Sequence, residues 1–316
     1  MKPFAFVFPG QGSQSVGMLD AWGDHPVVVQ TLKEASDALG EDVARLIHEG
    51  PKEALALTTN TQPVMLVSSV AAYRVWMAET GAAPQAVAGH SLGEYSALVA
   101  AGALSLAQAA PLVRLRAQAM QEAVPVGVGA MAAILGLDAT KVIAGCAEAM
   151  STFGTSSTEV VEAVNFNDAA QTVIAGSKAA VDKACEILKA AGAKRALLLP
   201  VSAPFHSSLM QPAAETLRYR LDEIEIATPQ IPLINNIDVA VESDAGRIRD
   251  ALYRQAFGPV RWVECVRALK ARGLSTVVEC GPGKVLAGMV KRIDADMAGF
   301  ALLDPATLEE VKGLLA

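Results

Sequence analysis

The stretch Gly89-His90-Ser91-Leu92-Gly93 sets a hydroxyl between two glycines in the pattern G-x-S-x-G. The spacing has a physical reason. Where a strand turns sharply into a helix, side chains two positions either side of the turn residue collide, so both positions need glycine. The serine is then held with its hydroxyl exposed, and the next backbone N–H can face an oxyanion. Ala86–Gly89 reads as a short strand of small residues, and Leu92 opens a helix. Two readings fit: Ser91 is the nucleophile of an acyl-transfer or hydrolytic reaction, or it caps the N-terminus of that helix.

A serine nucleophile needs a base. The chain has four histidines. His25 and His48 lie in charged, surface-like segments, and His90 adjoins the serine with its ring expected on the other side of the turn. His206, in "LLLPVSAPFHSSLMQP", follows a buried strand and precedes a helix, where α/β sites gather. It is either the base or a loop and helix-capping histidine. Asp168, Asp222 and Asp238 could complete a triad, but none stands in a distinctive context. A backbone carbonyl or an amide side chain could hold the imidazole Nδ1 proton instead.

The surrounding elements must position these groups. The chain has 316 residues, 52% of them hydrophobic and only 5% aromatic, so its interior is built mostly of Ala, Val and Leu. The first strand spans Phe4–Phe8, closed by "PGQGSQ". Apolar periodicity predicts helices over about 27–39, 41–49, 61–79 and 105–122. Tyr95–Val113 carries no charge, but Ser96, Gly102, Ser105, Gln108 and Pro111 within it favour two buried helices and a turn over a membrane span.

From residue 129 the pattern becomes strand (129–135), helix capped by Asp138, polar loop "STFGTSST", strands (160–165 and 171–175), helix capped by Ser177, and strand (194–199). That β-α-β-β-α-β order is ferredoxin-like. The fold class is therefore α/β, with a ferredoxin-like unit (127–199) inserted in a large α/β domain (1–126 and 200–316). Helices near 207–222, 244–256, 262–272 and 283–292 and strands near 231–235 and 276–279 complete the large domain, and residues 304–316 carry no legible motif.

The net charge of −7 argues against general nucleic-acid binding. Cys146, Cys185, Cys265 and Cys280 form no CxxC pair and no metal-ligand spacing, so they read as reduced thiols of a cytoplasmic protein, with no metal. The N-terminal apolar run is too short for a signal peptide.

Six segments occur in one order: "FVFPGQGSQ" (6–14), "GHSLGEYSAL" (89–98), "RLRAQAMQEA" (114–123), "NFN" (165–167), "PVSAPFHSSLM" (200–210) and "GPGK" (281–284). Together they resemble the malonyl-CoA:acyl carrier protein transacylases of type II fatty-acid synthesis. The acyltransferase domains of fatty-acid and polyketide synthases share these motifs. The resemblance covers nearly the whole chain and implies an α/β-hydrolase-like large domain with a ferredoxin-like insertion. It implies a ping-pong transfer of malonyl from malonyl-CoA to the phosphopantetheine thiol of acyl carrier protein, with no bound cofactor. Ser91 matches the acylated nucleophile and His206 its base. Gln255 matches the residue whose main-chain carbonyl orients the base, and the N–H groups of Gln11 and Leu92 match the oxyanion hole. Arg116 matches the cation for the malonyl carboxylate. Arg114 lies two residues away and so faces elsewhere. Phe205 matches a position that accompanies malonyl over methylmalonyl selection, and is otherwise core packing. His90, Asn165 and Asn167 are candidate pocket residues, although "DAAQ" follows where a proline-glycine is expected.

Two other classes share parts of this pattern: a serine thioesterase, and a non-catalytic carrier-binding module. Charge is uneven along the chain, with residues 261–292 at net +5 and 178–195 at net +3. If these stretches flank the cleft they form a basic rim for an acidic carrier; otherwise they are scattered solvated faces.

Overall fold

The computed structural model describes residues 1–154 and 156–316. Two sheets organise it. The larger contains β1 (Ala5–Phe8), β2 (Ala86–Gly89), β7 (Leu233–Ile234), β8 (Thr276–Cys280) and β9 (Ala298–Leu302), in the order β7-β2-β1-β8-β9. All four pairings are parallel. The smaller contains β3 (Gly129–Leu135), β4 (Val161–Asp168), β5 (Gln171–Ser177) and β6 (Arg195–Leu198), in the antiparallel order β4-β5-β3-β6. Helices 139–151 and 178–190 complete the ferredoxin-like β-α-β-β-α-β order.

A parallel sheet is covered on both faces, so its strands read as continuous apolar runs. The central strand β1 has the sequence AFVF, every residue buried. Phe4, Phe6 and Phe8 point to one face, where Trp76 and Tyr73 of the helix Thr58–Thr80 meet them edge-on, with ring centroids 5.6–6.2 Å apart. Ala5 and Val7 point to the other face, onto Trp262, Val266 and Leu269 of helix 262–271 and Val290 of helix 285–293. This period of two explains why the sequence places aromatic residues and small residues alternately.

The small sheet also divides by parity. Ala132, Ile134 and Ile174 pack beneath the two helices with Val142, Cys146, Val181 and Leu188. Met131, Ala133, Val173 and Ala175 face the opposite way, against Leu199, Val201 and Phe205. That second face covers the C-terminal ends of the large sheet. Backbone bonds tie β4 of the small sheet to the large domain, with Phe166 N–H donating to the carbonyl of Val260, just before helix 262–271 (3.0 Å), and Val260 N–H to the Val164 carbonyl (2.8 Å).

Several expectations are corrected. Asp138 caps its helix through Lys141 N–H, but Ser177 does not cap helix 178–190; its hydroxyl accepts from Val160 N–H and ties the ends of β4 and β5. The strand expected over 231–235 is only the two residues of β7, because Asn235 and Asn236 leave the ladder for other bonds. The polar loop 151–158 begins one residue later, Ser151 belonging to the preceding helix, and Thr155 within it lies outside the described residues. Residues 304–316 form a helix, Pro305–Leu315, with a capping box from Asp304. β9 was not expected at all. The uncharged stretch after Tyr95 divides into helices Gly93–Ala100 and Leu106–Glu122, and no described helix is long and apolar enough to cross a membrane.

Candidate active site

Ser91 follows β2 and sits at φ +54°. A non-glycine residue there carries strain of about 1–3 kcal/mol, held only by its surroundings. The flanking glycines are required. A Cβ on Gly89 would lie 1.9 Å from the Gly93 carbonyl carbon, and one on Gly93 would lie 2.1 Å from the Phe8 carbonyl oxygen. Ser91 does not cap the helix. Leu92 occupies the N-cap of helix 93–100, with no side-chain cap bond.

Ser91 Oγ instead lies 2.6 Å from His206 Nε2. His206 Nδ1 is 2.9 Å from the main-chain carbonyl of Gln255. A carbonyl only accepts, so Nδ1 carries the proton and Nε2 presents its lone pair to the serine hydroxyl. His206 is 4% exposed. Burial, and secondarily the Arg116 charge, pushes its pKa down from 6.5 to about 3, so the imidazole is neutral. The three Asp candidates are elsewhere: Asp168 pairs with Arg292, Asp238 with Arg254, and Asp222 borders a separate surface cleft.

Arg116 comes from helix 106–122 and is 2% exposed. Its Nη2 donates to Gln255 Oε1 at 3.1 Å and to Ser91 Oγ at 3.3 Å, and its Nη1 donates to Gln62 Oε1 at 2.6 Å. The guanidinium lies over the Tyr95 ring, 5.5 Å from its centroid, and its Nε has no partner. Among the described residues no carboxylate forms a contact ion pair with it: the buried cation rests on neutral acceptors, and the charge of Glu94 acts on it only from beyond contact distance. Arg114, two positions earlier, turns outward to the Thr59 carbonyl, Asn60 and Glu41.

These groups line one open cleft of about 590 Å³. Its polar wall includes Gln11, Gln62, His90, Asn165 and Arg116, and its apolar wall includes Met120, Met131, Leu199, Val201 and Phe205. Phe205 therefore packs against the small sheet and faces the cleft at once. Gln11 is held through its side chain, which accepts from Thr58 Oγ1 at 2.8 Å. His90 Nε2 meets Asn167 Oδ1 at 2.9 Å, and its ring packs on Trp262. Asn165 Oδ1 is buried without a partner. His25 and His48 stand apart, paired with Glu79 and Asp20. Among the described residues no group of three His, Cys, Asp or Glu could hold a metal.

The sequence reading missed Glu94, Asn236, Gln62 and the side chain of Gln255. Asn236 Oδ1 accepts from Ser91 N–H (2.8 Å), and Gln255 Nε2 donates to the Ser91 carbonyl (3.0 Å). One signal was present: Glu94 is the last charged residue before the uncharged run to Val113.

A serine on a strained strand-to-helix turn, with a carbonyl-oriented histidine and a buried arginine, defines a site for acyl transfer. The family model for the acyl transferase domain matches residues 5–302. The chain is 51% identical over 317 residues to the malonyl CoA-acyl carrier protein transacylase of Haemophilus influenzae, covering 100% of both chains. It superposes on the acyl-carrier-protein S-malonyltransferase of Burkholderia pseudomallei with TM-score 0.94 and 63% identity, covering 98% of this chain and 99% of that one. It matches equally (TM-score 0.94, 50% identity, 98% of each chain) a malonyl-transacylase solved in complex with its type II PKS acyl-carrier protein. The chain belongs to the malonyl CoA-acyl carrier protein transacylase family and is an acyltransferase.

Proposed function

We propose that this protein transfers malonyl from malonyl-CoA to the phosphopantetheine thiol of an acyl carrier protein through a malonyl-Ser91 intermediate. One observation carries the reading: Ser91 Oγ lies within reach of both the His206 lone pair, at 2.6 Å, and the guanidinium of Arg116, which has no carboxylate in contact among the described residues, at 3.3 Å. Nucleophile, base and a cation for the second carboxylate of malonate share one cleft.

Ser91 Oγ attacks the thioester carbonyl and its proton passes to His206 Nε2. The N–H groups of Gln11 and Leu92 stabilise the oxyanion; a donor of this kind is worth about 3–4 kcal/mol. The C–S bond breaks, and coenzyme A leaves with the proton from His206. The carrier thiol then attacks the ester, gives its proton to His206, and Ser91 leaves with that proton restored. Arg116 grips the malonyl carboxylate with its fork and fixes the acyl group against attack by water. Phe205 closes the space at the malonyl α-carbon, Asn165 and His90 shape the rest of the pocket, and Asn167 holds the His90 ring from outside the cleft lining. Residues 1–126 and 200–316 form the catalytic domain and 127–199 the inserted domain that roofs the cleft. The reaction calls on no bound cofactor. Substrate and carrier place the protein in the cytoplasm, where its four buried cysteines remain thiols.

Mass analysis after mixing with malonyl-CoA tests this. The expected result is a malonyl adduct on Ser91 that Ser91→Ala abolishes while the variant stays folded. Malonate released without an adduct indicates a thioesterase, and neither product indicates a carrier-binding module.

A further inference from the structure

The strained turn at Ser91 is held from both sides by side chains of other elements. Its N–H donates to Asn236 Oδ1 (2.8 Å), just beyond β7, and its carbonyl accepts from Gln255 Nε2 (3.0 Å), at the end of helix 245–256. Asn236 Nδ2 also donates to the Gly89 carbonyl at 2.7 Å, gripping the strand that enters the turn. These two residues converge on one atom. Glu94 Oε2 accepts the Asn236 main-chain N–H at 2.9 Å and a Gln255 Nε2 proton at 3.0 Å. The hydrogen bonds thus close a ring: Glu94 to Asn236, to the Ser91 backbone, to Gln255, and back to Glu94.

Gln255 extends this ring to the reacting groups. Its main-chain oxygen accepts from His206 Nδ1 and its Oε1 accepts from Arg116 Nη2. A rotation of the Gln255 amide would turn its NH₂ against the guanidinium and its oxygen against the Ser91 carbonyl. The acceptor at Glu94 opposes that rotation. Glu94 is 2% exposed and, among the described residues, forms no contact ion pair; the Arg116 charge reaches it only from beyond contact distance, and its direct partners are the two donors on Oε2. Burial raises its pKa to about 7, against the pull of the two donors. Either protonation state serves the ring, because a neutral carboxyl can carry its proton on Oε1 and leave Oε2 accepting.

We propose that Glu94 is a positioning residue for acyl transfer: its Oε2 ties Asn236 to Gln255, and so holds the Ser91 backbone in its strained turn and Gln255 against both His206 and Arg116. This rests on the reading of Ser91 as the acylated nucleophile. The demand is for a reaching acceptor, not for charge. The amide of a Glu94→Gln variant presents a carbonyl oxygen at the same reach. Glu94→Asp keeps the charge but is one methylene too short to meet both donors.

The full-length Glu94→Ala, Glu94→Asp and Glu94→Gln variants test this with two readouts. One is the quenched burst of malonyl-Ser91, whose amplitude counts competent sites and whose rate reports each site. The other is Ser91 labelling by a fluorophosphonate, which needs the turn and His206 but no acyl substrate. Glu94→Ala and Glu94→Asp are expected to lower both per-site rates by about 100-fold, as a misplaced nucleophile does. KM for malonyl-CoA should change little, and Glu94→Gln should recover most of the rate. Per-site rates equal to wild type in Glu94→Asp or Glu94→Ala, with losses confined to burst amplitude or melting temperature, overturn the proposal. So does a Glu94→Gln variant as slow as the other two. Should Glu94→Ala not fold, the Asp and Gln pair decides. A wild-type protein that labels with the fluorophosphonate but takes no malonyl defeats the malonyl reading alone, and the fluorophosphonate rates still decide the role of Glu94.

Discussion

At the scale of residues, two groups are placed against their solvent preference, and each placement has a measurable consequence. His206 is buried beside a cation, which pushes its pKa down to about 3. A lowered pKa keeps the imidazole neutral through mildly acidic conditions, so the base remains competent there. The acid limb of kcat/KM for Ser91 acylation is expected well below pH 6.5, and a limb at 6.5 would show an unperturbed histidine. The same shift works against stability. Between pH 6.5 and about 3 the unfolded chain binds the proton that folded His206 refuses, so this contribution is lost as the pH falls through that window. Arg116 is the second group. Its fork meets only amide and hydroxyl oxygens, and in the proposed reaction it is malonate that brings a carboxylate to it. Arg116→Ala is expected to slow malonyl transfer about 10- to 100-fold more than acetyl transfer, the range of a hydrogen bond to a charged group. Arg116→Lys should rescue only part of that, lacking the second prong. Equal losses for both acyl groups, measured as kcat/KM, would make Arg116 structural.

At the scale of elements, the turn between β2 and helix 93–100 is the feature on which the site depends. Gly93 lies against the Phe8 carbonyl at the end of β1. Gly93→Ala forces backbone apart and is expected to cost on the order of 3 kcal/mol or more, read as a lower urea midpoint. A variant with unchanged midpoint would mean that the turn has slack. This turn was legible in the sequence because its constraint is local: two glycines at fixed spacing, a strand of small residues before and a helix after. Helix starts signalled by Asp138 and the strands 129–135 and 86–89 were legible for the same reason. The supports of Ser91 were not, because Asn236 and Gln255 are brought to it across more than 140 residues of chain by the parallel sheet. Ser177 misled through the same cause: a hydroxyl at a helix start reads as a cap until a neighbouring strand supplies a better donor. β9 escaped because its short apolar stretch follows a cluster of aspartates and has no alternation; its partner β8 fixes it as an edge strand.

At the scale of the whole molecule, the cleft lies between a parallel sheet that presents Ser91 and an antiparallel sheet that roofs it, with His206 on the segment leading from β6 of the antiparallel sheet to helix 211–223. An acidic carrier must approach a chain of net charge −7. The local excess of positive charge is smaller than its sequence count, since Lys270 is held by Asp294 and Asp296, Arg261 by Glu264 and Arg292 by Asp168. Lys189, Lys194, Lys284 and Lys291 are exposed and, among the described residues, unpaired. Reversing these four to Glu is expected to slow the carrier half-reaction about 10-fold or more at low salt, as lost steering does, with the difference closing as salt rises. Acylation by malonyl-CoA should change less. A carrier step indifferent to both salt and reversal, followed by quenched flow, would assign docking to apolar contacts.

In the proposed reaction Ser91 holds malonyl for a thiol and withholds it from water. Isolated malonyl-enzyme, divided between phosphopantetheinylated carrier protein and buffer alone, tests it most directly. Malonyl is expected to leave Ser91 for the carrier thiol within the time of mixing while the portion in buffer keeps its ester. Loss of malonyl to water at the same rate in both portions would contradict it.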